Sequence, residues 1–98
     1  MARIELAPEV AEDLDRILDH LVLHDASDAG ERVHQIIEAL SVLETNPLIG
    51  RPARADLREL VIGRRTRGYV ALYRYVQEID VVFVLAVRGQ REAGYARG

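Results

Sequence analysis

Ala2, Ile4 and Leu6 alternate with Arg3, Glu5 and Ala7 at the start of the chain, the two-residue period of a short, half-buried strand. At Pro8 the period changes. Val10, Leu14, Ile17, Leu18 and Leu21 recur at three- and four-residue spacing, with Glu12, Asp15, Arg16 and Asp19 off the stripe, and this predicts an amphipathic helix. Proline suits its opening turn, and Glu9, Glu12 and Asp13 place negative charge near its positive end. A second stripe, Val33, Ile36, Ile37, Leu40 and Leu43, predicts a second helix capped by Asp25 or Ser27, so the two form a helical hairpin. Asn46-Pro47-Leu48-Ile49-Gly50-Arg51-Pro52 stops it, because the residue before a proline is pushed out of the helical region.

Beyond this connector, Leu57 to Ile62 reads as a strand, and Gly63-Arg64-Arg65-Thr66-Arg67-Gly68 reads as a basic loop bracketed by glycines. Tyr69 to Val76 and residues 79–87 are rich in β-branched and aromatic types and predict two further strands. Gln77-Glu78 between them predicts a tight hairpin turn, although neither residue favours the positive φ that such turns use. After Arg88 the chain is polar and glycine-rich, a loop or tail. The order is β-α-α-β-β-β. An α+β fold is expected, with an N-terminal helical hairpin packed on one face of an antiparallel sheet.

At 98 residues the chain is expected to form a single domain over residues 1–98, with one modest core. It has no cysteine, which excludes disulfides and thiolate chemistry. Its N-terminus lacks the apolar run of a signal peptide and no stretch has transmembrane length, so a cytoplasmic, non-membrane protein is expected. The net charge of -3 conceals an asymmetry: residues 1–50 carry three arginines against eleven acids, and residues 51–98 carry ten arginines against five. No lysine is present. Arginine keeps its charge at any working pH and grips carboxylate or phosphate with a two-pronged fork, so the C-terminal half offers a surface for acidic partners. The inventory is Arg58, Arg64, Arg65, Arg67, Arg74, Arg88 and Arg91, weighed against the plain alternative of a solvated surface balancing acidic helices. His20 and His24 lie one turn apart, but no third ligand accompanies them, and no glycine fingerprint for nucleotide phosphates occurs. Neither metal nor cofactor is expected.

Four segments in this order resemble the RelE/ParE superfamily of toxins from bacterial type II toxin–antitoxin pairs. They are Ala11-Glu12-Asp13-Leu14-Asp15-Arg16-Ile17-Leu18-Asp19-His20-Leu21; Leu43-Glu44-Thr45-Asn46-Pro47-Leu48-Ile49-Gly50-Arg51-Pro52; Leu57-Arg58-Glu59-Leu60 with Gly68-Tyr69-Val70-Ala71-Leu72-Tyr73-Arg74-Tyr75; and Ala86-Val87-Arg88-Gly89-Gln90-Arg91-Glu92-Ala93-Gly94-Tyr95. The resemblance is closer to the ParE branch. It implies a growth-inhibiting toxin neutralised by a cognate antitoxin within a hetero-oligomer. ParE-like members are associated with poisoning DNA gyrase, and RelE-like members cut messenger RNA on the ribosome. Fold cannot choose between the branches.

Chemistry bears on the choice. A metal-free ribonuclease must activate a 2′-hydroxyl, stabilise a charged phosphorane and protonate a leaving oxygen. RelE-like toxins are understood to use lysines, arginines and a C-terminal tyrosine for this. Here Arg91 and Tyr95 fall roughly where the terminal arginine and tyrosine would, but arginine is a poor proton donor at neutral pH. The expectation is therefore a ParE-like toxin acting by binding, without catalytic residues. The alternatives are a ribosome-dependent endoribonuclease using Arg91 and Tyr95, and a non-toxic interaction module. An antitoxin segment is expected to pair with a sheet edge and lay its apolar side near the hairpin, its acids meeting Arg58, Arg64, Arg65 and Arg67.

Overall fold

The computed structural model describes residues 1–24, 27–63, 68–92, 94 and 95. Strand β1 (Arg3–Leu6) leads into helix α1 (Pro8–Leu23), which starts where proline was expected to start it. Helix α2 (Ala29–Ala39) follows and tightens into a 3₁₀ turn over Leu40–Glu44. Asp28 occupies its N-cap without a side-chain capping bond, so Ser27 lies outside the cap and Asp25 lies outside the described residues. Strands β2 (Arg51–Pro52), β3 (Leu57–Ile62), β4 (Tyr69–Val76) and β5 (Val81–Gly89) complete the order.

The α+β architecture is as expected, with one extra strand and a mixed sheet of order β1-β5-β4-β3-β2. From β2 to β5 neighbours run antiparallel, whereas β1 lies parallel to β5, Arg3 opposite Val81 and Leu6 opposite Val84. The short strand β2 ends on Pro52, tolerable only because it forms the sheet's outer edge. Between β4 and β5 the expected two-residue turn is a 3₁₀ turn over Gln77–Ile79. Asp80 supplies the positive φ of 54° that glutamine and glutamate would resist. Tyr75 fixes this turn by donating its hydroxyl hydrogen to Asp80 at 2.6 Å.

Alternation assigns the two faces of the sheet. Toward the helices point Leu60 and Ile62 of β3, Ala71 and Tyr73 of β4, and Val82, Val84 and Val87 of β5. Against them pack Val10, Ile17 and Leu21 of α1, Ile36 of α2, and Leu40 and Leu43 of the 3₁₀ turn. Val84 and Val87 share this face although they are three residues apart, because a register shift opposite Leu72 and Tyr73 makes Leu85 an extra residue in β5. The bulge exchanges the faces. Beyond it, Val87 enters the core and Arg88 turns to the opposite, open face.

Asp13 is fully buried among these apolar groups. It follows Val10 by three residues and precedes Ile17 by four, so it sits on the buried stripe itself. One carboxylate oxygen accepts the Val87 backbone N–H at 2.9 Å and the other accepts Arg16 Nη1 at 2.8 Å. A buried charge survives only with partners of this kind. Arg16 in turn donates to the Val87 carbonyl at 3.2 Å and reaches Glu92 at 3.1 Å, tying α1 to the segment that leaves β5.

Candidate functional site

The described arginines of the C-terminal half do not gather into one patch. Arg58 shares a face with Tyr73 and is turned toward the connector. Its Nη1 donates to the carbonyl oxygens of Leu48 and Gly50 at 3.2 and 2.9 Å. Arg74 lies on the open face and pairs with Asp56 at 2.6 Å. Arg88 lies on the same face, its guanidinium 5.1 Å from the centre of the Tyr95 ring. Arg91 lines a cleft on the helical side of the sheet. Arg64, Arg65 and Arg67 lie outside the described residues.

That cleft has a volume of about 1080 Å³ and opens where the hairpin of α1 and α2 meets the ends of β3, β4 and β5. Its floor is apolar, formed by Ile17, Leu21, Ile36 and Ile62, and its rim carries Arg32 and Arg91. Neither rim arginine has an ion-pair partner among the described residues. Gly63 and Gly68 line the same cleft. The Gly68 backbone passes so close to Gln90 and the Ile62 carbonyl that a Cβ there would collide with both, while its own carbonyl accepts the Gln90 N–H at 3.0 Å. An apolar trough with unpaired guanidinium groups on its lip can accept an amphipathic segment bearing carboxylates.

Tyr95 belongs to a second cluster, on the open face. Its hydroxyl donates to Glu59 at 2.7 Å, and Arg51 Nε grips the other oxygen of the same carboxylate at 3.0 Å. Burial raises the Tyr95 phenol first, and the adjacent Glu59 charge raises it further, so the group stays protonated at any physiological pH. For Glu59 burial acts in the opposite sense to its neighbours. The hydrogen bonds from Tyr95 and Arg51, with the charges of Arg51 and Arg88, outweigh it and hold the carboxyl below its usual range. Arg91 and Tyr95, the pair a ribonuclease would need together, therefore serve two sites on opposite faces of the sheet.

Sequence reasoning gave no site role to Arg32, Glu59 and Glu92, and it read Asp13 as a charge at the start of the helix where the structure buries it in the core. Asp13 carried a signal, since its position continues the spacing of the apolar stripe. Glu59 and Glu92 did not, because their partners are distant in sequence: Glu59 meets Tyr95 from 36 residues away and Glu92 meets Arg16 from 76. His20 and His24 stack with ring centroids 4.2 Å apart, and His24 Nδ1 bonds the His20 carbonyl. Among the described residues no group of three or more metal-ligating side chains converges, and no helix is long and apolar enough to cross a membrane.

This arrangement of sheet and helical hairpin is that of toxins from type II toxin–antitoxin systems. The chain is similar to a structure of the chromosomal ParDE system from Pseudomonas aeruginosa, at 26% identity and a TM-score of 0.76, covering 91% of this chain and 96% of that one. The intact Escherichia coli RelBE complex shares the fold at 19% identity and a TM-score of 0.65, covering 94% and 99%. A Mycobacterium tuberculosis RelBE complex shares it at 23% and 0.61, covering 91% and 98%. No curated protein matches the sequence. The profile of the ParE toxin family of type II toxin–antitoxin systems matches residues 4–94, and the chain belongs to that family.

Proposed function

We propose that this ParE-family toxin inhibits growth by binding DNA gyrase, without a bond-breaking step of its own, and that a cognate antitoxin silences it through the cleft. The observation that carries the first part is the separation of Arg91 from Tyr95 by the sheet, together with a phenol committed to Glu59. General acid–base catalysis needs its groups within hydrogen-bond reach of one substrate. Arg91 and Tyr95, the pair on which the ribonuclease alternative rests, are therefore not within reach of one phosphate. Purified gyrase is expected to lose its supercoiling activity when this protein is added. Normal supercoiling at high molar excess would refute the gyrase target, and discrete messenger RNA cuts by primer extension in expressing cells would restore the ribonuclease alternative.

The cleft supports the second part. An antitoxin segment seated there would bury its apolar side on Ile17, Leu21, Ile36 and Ile62 and set carboxylates against Arg32 and Arg91. Contacts at an exposed rim accelerate encounter more than they prolong the complex, and salt screens them. Arg32→Glu combined with Arg91→Glu is expected to slow association with the antitoxin by roughly tenfold at low ionic strength, with a smaller change in dissociation. Stopped-flow association across a salt series measures this. An association rate equal to wild type at low salt would remove the cleft as the docking surface.

A further inference from the structure

The open face of the sheet carries cations of its own, and three of them are met by acids of the same chain. Arg3 pairs with Glu5 at 3.0 Å, Arg51 with Glu59 at 3.0 Å, and Arg74 with Asp56 at 2.6 Å. The pairs are not equivalent. Those of Arg3 and Arg74 are open to solvent on both sides, whereas the Glu59 side chain is only 16% exposed. Glu59 alone is held by more than one donor: Arg51 takes one oxygen and the Tyr95 hydroxyl the other. Two strands away, on β5, stands Arg88, its guanidinium 5.1 Å from the centre of the Tyr95 ring; its Nη1 donates to the Gly89 and Glu92 carbonyls, and its Nε is buried without a hydrogen-bond partner among the described residues.

Two guanidinium groups, Arg51 and Arg88, whose charges both act on Glu59, and the Tyr95 phenol form a donor set suited to the oxygens of a phosphate or similar oxyanion. We infer that Glu59 is a built-in anion filling an oxyanion site formed by Arg51, Arg88 and Tyr95, and that this carboxylate keeps phosphate groups off the open face. The inference goes beyond the toxin reading and does not depend on which target the cleft or the protein engages.

A phosphate approaching this site meets a fixed negative charge where its own oxygens would sit, and two of the donors it needs, Arg51 Nε and the Tyr95 hydroxyl, are already taken. Removing the charge reverses both effects. Glu59→Gln leaves Arg51, Arg88 and Tyr95 in place, adds an amide donor and raises the local charge by one. The face is thus one substitution from binding phosphate, and Glu59 determines that the wild type does not.

The test is titration of the full chain with inorganic phosphate, followed by NMR at the arginine Nε–H signals, for wild type, Glu59→Gln, and Glu59→Gln with Arg88→Met. Glu59→Gln is expected to bind phosphate about tenfold more tightly than wild type, as removal of one adjacent charge at partly screened distance predicts. Adding Arg88→Met is expected to abolish the gain. A short single-stranded RNA separates free phosphate from a nucleic-acid backbone as the source, and its gain should show the same dependence on Arg88. Glu59→Ser, which removes the carboxylate without a new side chain against Tyr95, serves if the glutamine variant does not fold. A folded variant that binds phosphate no better than wild type overturns the inference, and so does a gain that survives Arg88→Met. Neither antitoxin nor gyrase is in the tube, so failure here and failure of the toxin reading are separate results.

Discussion

Asp13→Ala is expected to lower the unfolding free energy by about 3 kcal/mol, a large part of what a domain of this size has. The carboxylate is fully buried and serves two elements, accepting the Val87 N–H from β5 and Arg16 from its own helix. Alanine leaves that N–H without a partner in the core, at a cost of about 1–3 kcal/mol. It also removes the nearer of two carboxylates that hold Arg16, whose side chain keeps Glu92 and 35% of its solvent exposure. That remaining support places the loss below what a wholly buried charge would incur. In a thermal melt the midpoint should fall by roughly 15 °C, given 4–8 °C per kcal/mol for a chain of this size. A fall of only two or three degrees would mean that the buried carboxylate contributes little to joining α1 and β5.

The second large effect is expected at Gly50. A Cβ there would lie 2.6 Å from both Cε1 and the hydroxyl oxygen of Tyr73, and 2.8 Å from the Glu59 carbonyl oxygen. Tyr73 is fully buried, and its hydroxyl accepts the Gly50 N–H at 2.8 Å, so the ring cannot swing away without breaking that bond. Gly50→Ala should cost roughly 2–4 kcal/mol, overpacking and the lost hydrogen bond together. Gly30, in α2, is the control: nothing lies within 4 Å of its missing Cβ, and alanine there should stabilise by about 0.5–1 kcal/mol. Denaturant unfolding of the two variants measures both signs. Equal midpoints would show that the close approach at Gly50 relaxes freely.

What could be read from sequence followed from how each signal is encoded. The start of α1 at Pro8 and the bounds of β3 and β4 were legible because period and punctuation coincide there. Strand β2 was not, since two residues carry no period. The parallel pairing of β1 with β5 leaves no local mark, because alternation specifies a face and not a direction. Nor could the bulge at Leu85 be found, as residues 81–87 are apolar throughout and a one-residue slip changes nothing in such a run. The candidate site suffered more. Charge counting presented the arginines as one basic body, but alternation and turns distribute Arg58, Arg74, Arg88 and Arg91 over distinct places. Arg74 meets its acidic partner Asp56 from 18 residues away, and no spacing rule reaches that far.

The parallel pairing of β1 with β5 also constrains how the protein comes into being. Arg3 through Leu6 are synthesised well before their partners, Val81 through Val84. During translation β1 must therefore wait with its edge unpaired until nearly the whole sheet has emerged. The apolar stripe of α1 waits with it, because the Val82, Val84 and Val87 side chains it covers belong to the last strand of the sheet to be made. Closing so long a loop is slow, and exposed strand edges and helix faces are the surfaces that aggregate or recruit chaperones in the interval. A partner able to cover those surfaces early would meet the nascent chain before it becomes a folded toxin.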